Sequence, residues 1–204
     1  MEEAPVGDGS GVVWFGASGL KVLGEVADDG VEVTIEVETT ATVVACDSCG
    51  TRARAKDRRW VTLRDAPLAD RAVRVRWRKR VWACPDLDCE VKTWTEIHEL
   101  AEPRRVLTGR AGRWACARVA AVEGTPASIA RGFAVAWSTV WPAVGRLGQA
   151  AVGDPARVGS ASMVGFDETM MSPSSRRRRR RFITAVVDVA SSQILDVFEG
   201  RDAK

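Results

Sequence analysis

Apolar and polar residues alternate in two short runs early in the chain, Leu20 to Glu25 and Val31 to Glu38, with Ala-Asp-Asp-Gly between them. A period of two turns one face of each run toward a core, and the Asp-Gly break predicts a hairpin. Val43 to Ala45 leads on to a second β-rich stretch. There Trp60 to Arg64 is strand-like, Asp65 to Asp70 predicts a turn, and Val73 to Ala83 alternates almost without fault. Val73, Val75, Trp77, Lys79 and Val81 fall on one face of that strand, and Arg74, Arg76, Arg78 and Arg80 on the other.

From Val106 the period changes to helical. Thr108 to Val122 places Trp114, Ala117, Ala121 and Val122 on one side. Thr125-Pro126 marks a helix start, with threonine as N-cap and proline in the first turn, and a short helix from Ala127 to Gly132 follows. A turn over Phe133 to Val135 leads to a third helix from Ala136 to Leu147. Two short helices across such a turn, the second opening on Trp137, Ser138 and Thr139, fit a helix-turn-helix, whose second helix enters the DNA major groove. Ala134 stands where glycine is easiest, and Pro142 lies inside the second helix, where a kink is expected. Gly148 to Ser160 predicts a linker. Three strand-like runs follow, Ser162 to Glu168, Phe182 to Val189 and Gln193 to Phe198, and predict an antiparallel meander. Six arginines, Arg176 to Arg181, stand between the first two.

Charge sharpens this outline. The chain of 204 residues has a formal net charge of +3, but residues 1–45 hold one basic and nine acidic residues. Residues 46–98 hold 13 basic against 8 acidic, and residues 99–150 hold 7 against 3. The positive charge begins where the first cysteines appear and is nearly all arginine, which favours a polyanionic partner bound through forked donors. Plain solvation accounts for an arginine-lined strand face as well as DNA contact does. Arg52, Arg54, Arg58 and Arg59 in the same stretch tip the reading toward nucleic acid, and Arg176, Arg177 and Arg178 are further candidate backbone contacts. Residues 1–19 are Gly-rich, acidic and expected to be loose. The Met-Glu-Glu-Ala-Pro start has no apolar signal region, and the uncharged run Gly132 to Gly145 is short of a membrane span of roughly 20 residues. A soluble, intracellular protein without a membrane partner is expected.

The sharpest chemistry lies in four of the five cysteines. Cys46 and Cys49 form one close pair and Cys84 and Cys89 a second, with Gly50 after the first to allow a tight knuckle. Two separated pairs supply the four soft ligands of a structural zinc ion. Scattered core cysteines would not pair at both ends. A redox Cys-x-x-Cys normally opens a helix, whereas a Gly-Thr-Arg-Ala-Arg turn follows here. A disulfide framework belongs to secreted chains. Cys116, in a helical pattern, is expected in a core, and the one histidine, His98, is expected to be solvated or packed.

Taken in order, these parts resemble the ISL-three family of bacterial insertion-sequence transposases. The resemblance rests on the N-terminal β segment, the cysteine-pair domain ending near Lys92-Thr-Trp-Thr-Glu, and the helix-turn-helix around Val135-Ala-Trp-Ser-Thr-Val. Gly165-Phe-Asp-Glu, Phe182-Ile-Thr-Ala-Val-Val-Asp-Val and Ile194-Leu-Asp-Val-Phe-Glu-Gly-Arg complete it. It implies an α+β multidomain fold: an acidic β segment (1–45), a zinc-ribbon-like domain (46–98), a helix-turn-helix domain (99–150) and an incomplete RNase-H-like meander (151–204). It implies double-stranded DNA, the element's terminal inverted repeats, as partner. A homo-oligomer or an intact transposase is a possible second partner, and the location would be the bacterial cytoplasm and nucleoid. In a complete member three carboxylates hold two Mg²⁺ or Mn²⁺ ions for strand cleavage and transfer, and Asp167 matches the first of them. The second and third have no counterpart before Gly200-Arg-Asp-Ala-Lys, so this chain alone is expected to be inactive in strand transfer. A non-catalytic zinc-dependent DNA-binding regulator or transposition inhibitor is the alternative.

Overall fold

The computed structural model describes residues 17–24, 26–172 and 181–200. The expected loose start before Ala17, and Arg176 to Arg180, lie outside the described residues. The chain forms two compact units, residues 1–149 and 150–204.

The first unit is built on a six-stranded sheet: β1 (Leu20–Val22), β2 (Ala27–Asp28), β3 (Glu32–Thr39), β4 (Arg54–Leu68), β5 (Arg71–Ala83) and β6 (Thr93–Thr95). Its order is β1-β3-β5-β4, with β2 also on β3 and β6 on β5. Only β3 and β5 run parallel; the other pairs are antiparallel. The hairpin expected near the start therefore exists as β1 and β2 against β3. The boundary expected at 45/46 is corrected, because β3 lies directly beside β5 and one sheet spans both segments.

Period-two patterning places the core. Val33, Ile35 and Val37 of β3, Val73, Val75 and Trp77 of β5 and Leu63 of β4 share one buried face with Leu20, Leu100 and Ala101. Burying each such side chain contributes about 1.5–3 kcal/mol. The β4–β5 turn is tighter than the sequence predicts. Leu68 pairs with Arg71, and Ala69 and Asp70 alone form the tip with φ of 46° and 66°. Two left-handed residues give the turn whose twist matches a hairpin. Asp65 is thus not a turn residue; it sits in β4 and is wholly buried.

Three helices follow: α1 (Gly109–Ala120), α2 (Pro126–Gly132) and α3 (Trp137–Val152). Thr108 caps α1 by accepting from the Ala111 amide, and Thr125 and Ser128 form a reciprocal capping box on α2. The expected face of α1 is partly corrected. Ala111 and Ala115 are buried and Trp114 packs beside them, while Ala117 and Val122 are exposed. Ala111, Ala115 and Trp114 pack with Ile129, Phe133, Val140 and Val144 from α2 and α3, and the Trp114 and Phe133 rings lie 5.5 Å apart. Helix α3 runs on through Gly148 to Val152, into the segment expected as linker. It also continues past Pro142, whose ring removes one backbone donor; burial of Val140, Ala143 and Val144 holds the helix on both sides of it. Asp65 ties sheet to helices. It accepts from the Thr108 hydroxyl at 2.6 Å and from Arg110 Nη2 at 2.6 Å, and the Arg64 amide donates to the Val106 carbonyl alongside.

The second unit is the expected meander, β7 (Val164–Ser172), β8 (Arg181–Asp188) and β9 (Gln193–Glu199), in the order β7-β8-β9. A turn of 3₁₀ helix, Pro155–Arg157, precedes it, and the Arg157 guanidinium donates to the Ile194 and Leu195 carbonyls. No helix among the described residues is long and apolar enough to cross a membrane.

Candidate metal centre and nucleic-acid surface

The two cysteine pairs converge. Their four Sγ atoms lie within 4.8 Å of one another, with Cys46 to Cys89 at 3.7 Å and Cys49 to Cys84 at 3.5 Å. Zinc–sulfur bonds of about 2.3 Å in a tetrahedron put sulfurs about 3.8 Å apart, so the spacing suits one ion between four thiolates. It is far too wide for disulfides, whose sulfurs stand about 2.05 Å apart, and all the cysteines are free.

Local backbone geometry explains the convergence. The Cys46 carbonyl accepts from the Gly50 amide at 2.8 Å and the Cys46 amide donates to Thr51 at 2.9 Å, closing a knuckle that Gly50 leaves with φ of 74°. Cys84 follows the end of β5, its amide donating to Lys92, and Cys89 returns just before β6, where Trp94 packs on the cluster. Hydrogen bonds from the Thr51 hydroxyl and then its amide bring the Cys49 thiol down to about 7. Burial pushes Cys84 up to about 12 and raises Cys89 as well. Three sulfurs buried together and a fourth poised to ionise make a set whose negative charge a divalent cation balances.

His98 is not a ligand. Its ring meets Trp77 edge-on at 6.0 Å, and Nδ1 accepts from the Leu100 amide, so the Nε2 proton points to the Ser18 carbonyl at 2.9 Å. Cys116 is half-buried on α1, near the Val144 carbonyl.

The arginine row of β5 faces carboxylates. Arg74 pairs with Glu32 at 2.7 Å, Arg76 with Glu36, Arg78 with Glu38 at 2.7 Å and Arg80 with Glu38 at 3.0 Å. Parallel pairing of β3 with β5 sets this ladder, since Glu36 lies opposite Arg76 and the glutamates repeat with the period of the arginines. Arg80 is corrected outright. Its side chain is 5% exposed and donates to the Thr39 and Ala41 carbonyls, out of reach of a phosphate backbone. Arg74, Arg76 and Arg78 stay part-exposed but neutralised.

Uncommitted positive charge lies on the neighbouring strand. Arg52, Arg54, Lys56 and Arg59 are exposed along the outer half of β4 and the turn before it, and none pairs with a carboxylate among the described residues. Trp60 follows, about half exposed, with the Arg76 guanidinium stacked 4.6 Å from its ring. Lys56 lies in a bulge of β4, where the alternation of the strand is interrupted. At the start of α3, Trp137 and Ser138 are exposed and Thr139 is half-buried. Arg176, Arg177 and Arg178 lie outside the described residues. Asp167 is exposed in the middle of β7, opposite Ala185, and accepts from the Thr169 hydroxyl at 3.3 Å. Among the described residues, the four cysteines are the one gathered group of metal-ligating side chains.

A four-cysteine cluster held by two knuckles at the end of a β-ribbon defines a zinc-ribbon-like metal centre. The family model for the zinc-finger of transposase IS204/IS1001/IS1096/IS1165 matches residues 42–89, which take in both cysteine pairs, β4 and β5. The match covers about a quarter of the chain. Comparison with curated proteins returns no match, and comparison with solved structures returns none. The matched domain and the cysteine cluster are consistent with structural zinc and support a transposase-type DNA-binding role.

Proposed function

We propose that this chain carries the DNA-recognition part of an insertion-sequence transposase. The zinc centre fixes the ribbon of β4, β5 and β6, and the exposed cations of β4 contact the phosphate backbone. Helices α2 and α3 act as a helix-turn-helix that presents Trp137, Ser138 and Thr139 to the terminal inverted repeats. Ala134, left-handed at φ of 52° between the two helices, supplies the bend there. Arg176, Arg177 and Arg178 add backbone contacts, and Asp167 is the first carboxylate of an RNase-H-like domain that acts with Mg²⁺ or Mn²⁺ in a complete member. The observation that carries the reading is the convergence of Cys46, Cys49, Cys84 and Cys89 within the segment matched to a transposase zinc finger.

Chemically, the ion's work is structural. Held by Cys46 and Cys49 on one side and Cys84 and Cys89 on the other, it would cross-link the loop after Ala45 to the end of β5 and so keep the cationic half of β4 in place. Arg52, Arg54, Lys56 and Arg59 then displace counterions from duplex DNA, a sequence-independent attraction that lets α3 sample base edges. Zinc-loaded protein titrated with duplex DNA over a salt series tests this. Affinity should fall steeply with salt, and a flat response would remove the backbone-binding surface. The alternative, a regulator that binds without strand transfer, is favoured by the setting of Asp167, which belongs to no cluster of three or more metal-ligating side chains among the described residues. Robust strand joining by this chain with Mg²⁺ or Mn²⁺ would exclude it.

A further inference from the structure

A cleft of about 260 Å³ opens between the starts of α1 and α3 and the loop that precedes α1. Arg104, Arg105, Arg113 and Arg146 line it together with a single acid, Glu102, which leaves a formal charge of +3. Glu102 already holds two of these cations, Arg146 at 2.8 Å and Arg105 at 3.1 Å. Arg104 and Arg113 have no carboxylate partner among the described residues, and both are exposed at the cleft. Ser138 and Thr139 bring the first turn of α3, which contains no acidic residue, to the same wall.

The loop places Arg104 at a conformational cost. The Arg105 amide donates to the Glu102 carbonyl at 3.2 Å, Pro103 follows Glu102, and Arg104 has φ of 62°. That is the type II pattern, whose third position ordinarily takes glycine. An arginine in a left-handed slot, turned toward a surplus of positive charge, is strain gathered at one spot, which is where such strain has functional meaning.

We propose that this cleft is a phosphate-binding site, in which Arg104 and Arg113 ligate one phosphodiester of duplex DNA. Guanidinium forks match phosphate oxygens, and the unpaired amides at a helix start favour the same anion. The volume falls just under the range of small-molecule pockets, about 300–1,000 Å³, and suits a phosphate with its adjoining sugar. Glu102 occupies Arg105 and Arg146 and leaves the other two cations for the ligand. The assignment of the phosphate to DNA rests on the DNA-binding reading above.

The test uses the full zinc-loaded chain, the Arg104→Gln/Arg113→Gln double variant, and Ser138→Glu, which puts a carboxylate in the cleft mouth. Duplex affinity is measured over a salt series, and melting temperature is measured with added inorganic phosphate or pyrophosphate. The double variant should weaken duplex binding about tenfold at low salt and lower the slope of log affinity against log salt by about 1. Ser138→Glu should weaken it similarly, with zinc content and unliganded melting temperature kept in both. Wild-type affinity and slope in the Arg104→Gln/Arg113→Gln variant would overturn the proposal while leaving the DNA reading intact, whatever Ser138→Glu does, because Ser138 is also a proposed contact of α3 with DNA. If the wild type binds no duplex, the DNA reading fails. A phosphate-induced rise in melting temperature seen only in the wild type then keeps the cleft as a site for free phosphate, and no rise overturns it.

Discussion

Glu38→Gln tests the claim that the acidic strand β3 holds the basic strand β5 in place. The substitution keeps shape and removes one charge. Glu38 is 1% exposed and meets Arg58, Arg78 and Arg80 at 2.7–3.0 Å and Lys21 at 3.7 Å. Arg58, Arg78 and Lys21 have 44%, 36% and 51% of their side chains exposed, so losing each contact costs about 0–1 kcal/mol. Arg80 is different: at 5% exposed it loses its nearest counter-charge and keeps Glu96 at 3.8 Å, the Thr39 hydroxyl and the Thr39 and Ala41 carbonyls. Breaking a buried pair costs about 3–5 kcal/mol. With Glu96 still near, the lower end applies, about 3 kcal/mol, or a melting temperature lower by about 6–12 °C for a unit of this size. Glu36→Gln, whose partner Arg76 is 41% exposed, serves as control and should change stability by about 0.5 kcal/mol. Urea denaturation of zinc-loaded protein measures both. Burial pushes the Glu38 carboxyl up, but hydrogen bonds from Arg78 and Arg58 and the charge of Arg80 outweigh it, and the net shift is downward from 4.5. Its contribution is therefore present above 4.5 and lost as the pH falls through the lower folded value, so Glu38→Gln should flatten that acid limb. A loss below 1 kcal/mol, with the acid limb unchanged, would refute the buried-network account.

Removing the metal with a chelator, or replacing Cys84 by Ser, should abolish binding of about one zinc per chain and lower the melting temperature; a fold indifferent to both would remove the metal centre. Changing Arg52, Arg54, Lys56 and Arg59 together to Gln should reduce the salt slope of duplex binding by about 3–4, at about 0.9 per phosphate contact. An unchanged slope would move the interface elsewhere. Asp65→Asn should lower stability by about 1–2 kcal/mol, because Arg110 is 41% exposed and its ion pair accounts for only about 0–1 kcal/mol, while the Thr108 hydroxyl exchanges a charged acceptor for a neutral one; differential scanning calorimetry decides it, and a neutral result would mean that the charge of Asp65 is not what joins sheet to helices.

Much of this fold is written locally. Alternation along Val73 to Ala83 gives β5, Thr108 and Thr125 give two helix starts, and the paired cysteines give the metal centre, because each depends on neighbours a few residues away. The role of Asp65 is not legible locally, because its partners, Thr108 and Arg110, lie 43 and 45 residues downstream. The end of α3 is equally hidden, because glycines at 145 and 148 and Pro142 lower local propensity, whereas tertiary burial of Val140, Ala143 and Val144 decides the outcome. The pairing of β3 with β5 is the costliest omission. Glu32, Glu36 and Glu38 carry the same period of two as the arginines opposite, but parallel pairing across more than thirty residues of intervening chain leaves no local turn signal.

That omission changes where DNA can meet the protein. The excess of acid before residue 45 and of base after it reads as an invitation to an external polyanion, yet β3 supplies the anion internally and in register. Charge on β5 is thereby spent on fixing the sheet. The cations left over include Arg52, Arg54, Lys56 and Arg59 beside the cysteine knuckles, and Arg104 and Arg113 at the helical cleft, to which β3 does not extend. A metal held by the cysteines would fix the position of the first group, because Arg52 and Arg54 directly follow the Cys46–Cys49 knuckle and Arg54 pairs with Ala83, the residue before Cys84. The second depends on Asp65, which anchors the start of α1. Chelation should therefore weaken duplex binding mainly through the β4 cations and leave the contribution of Arg104 and Arg113 in place. If chelation and the Arg104→Gln/Arg113→Gln change proved fully redundant, the two surfaces would have to share one support rather than two.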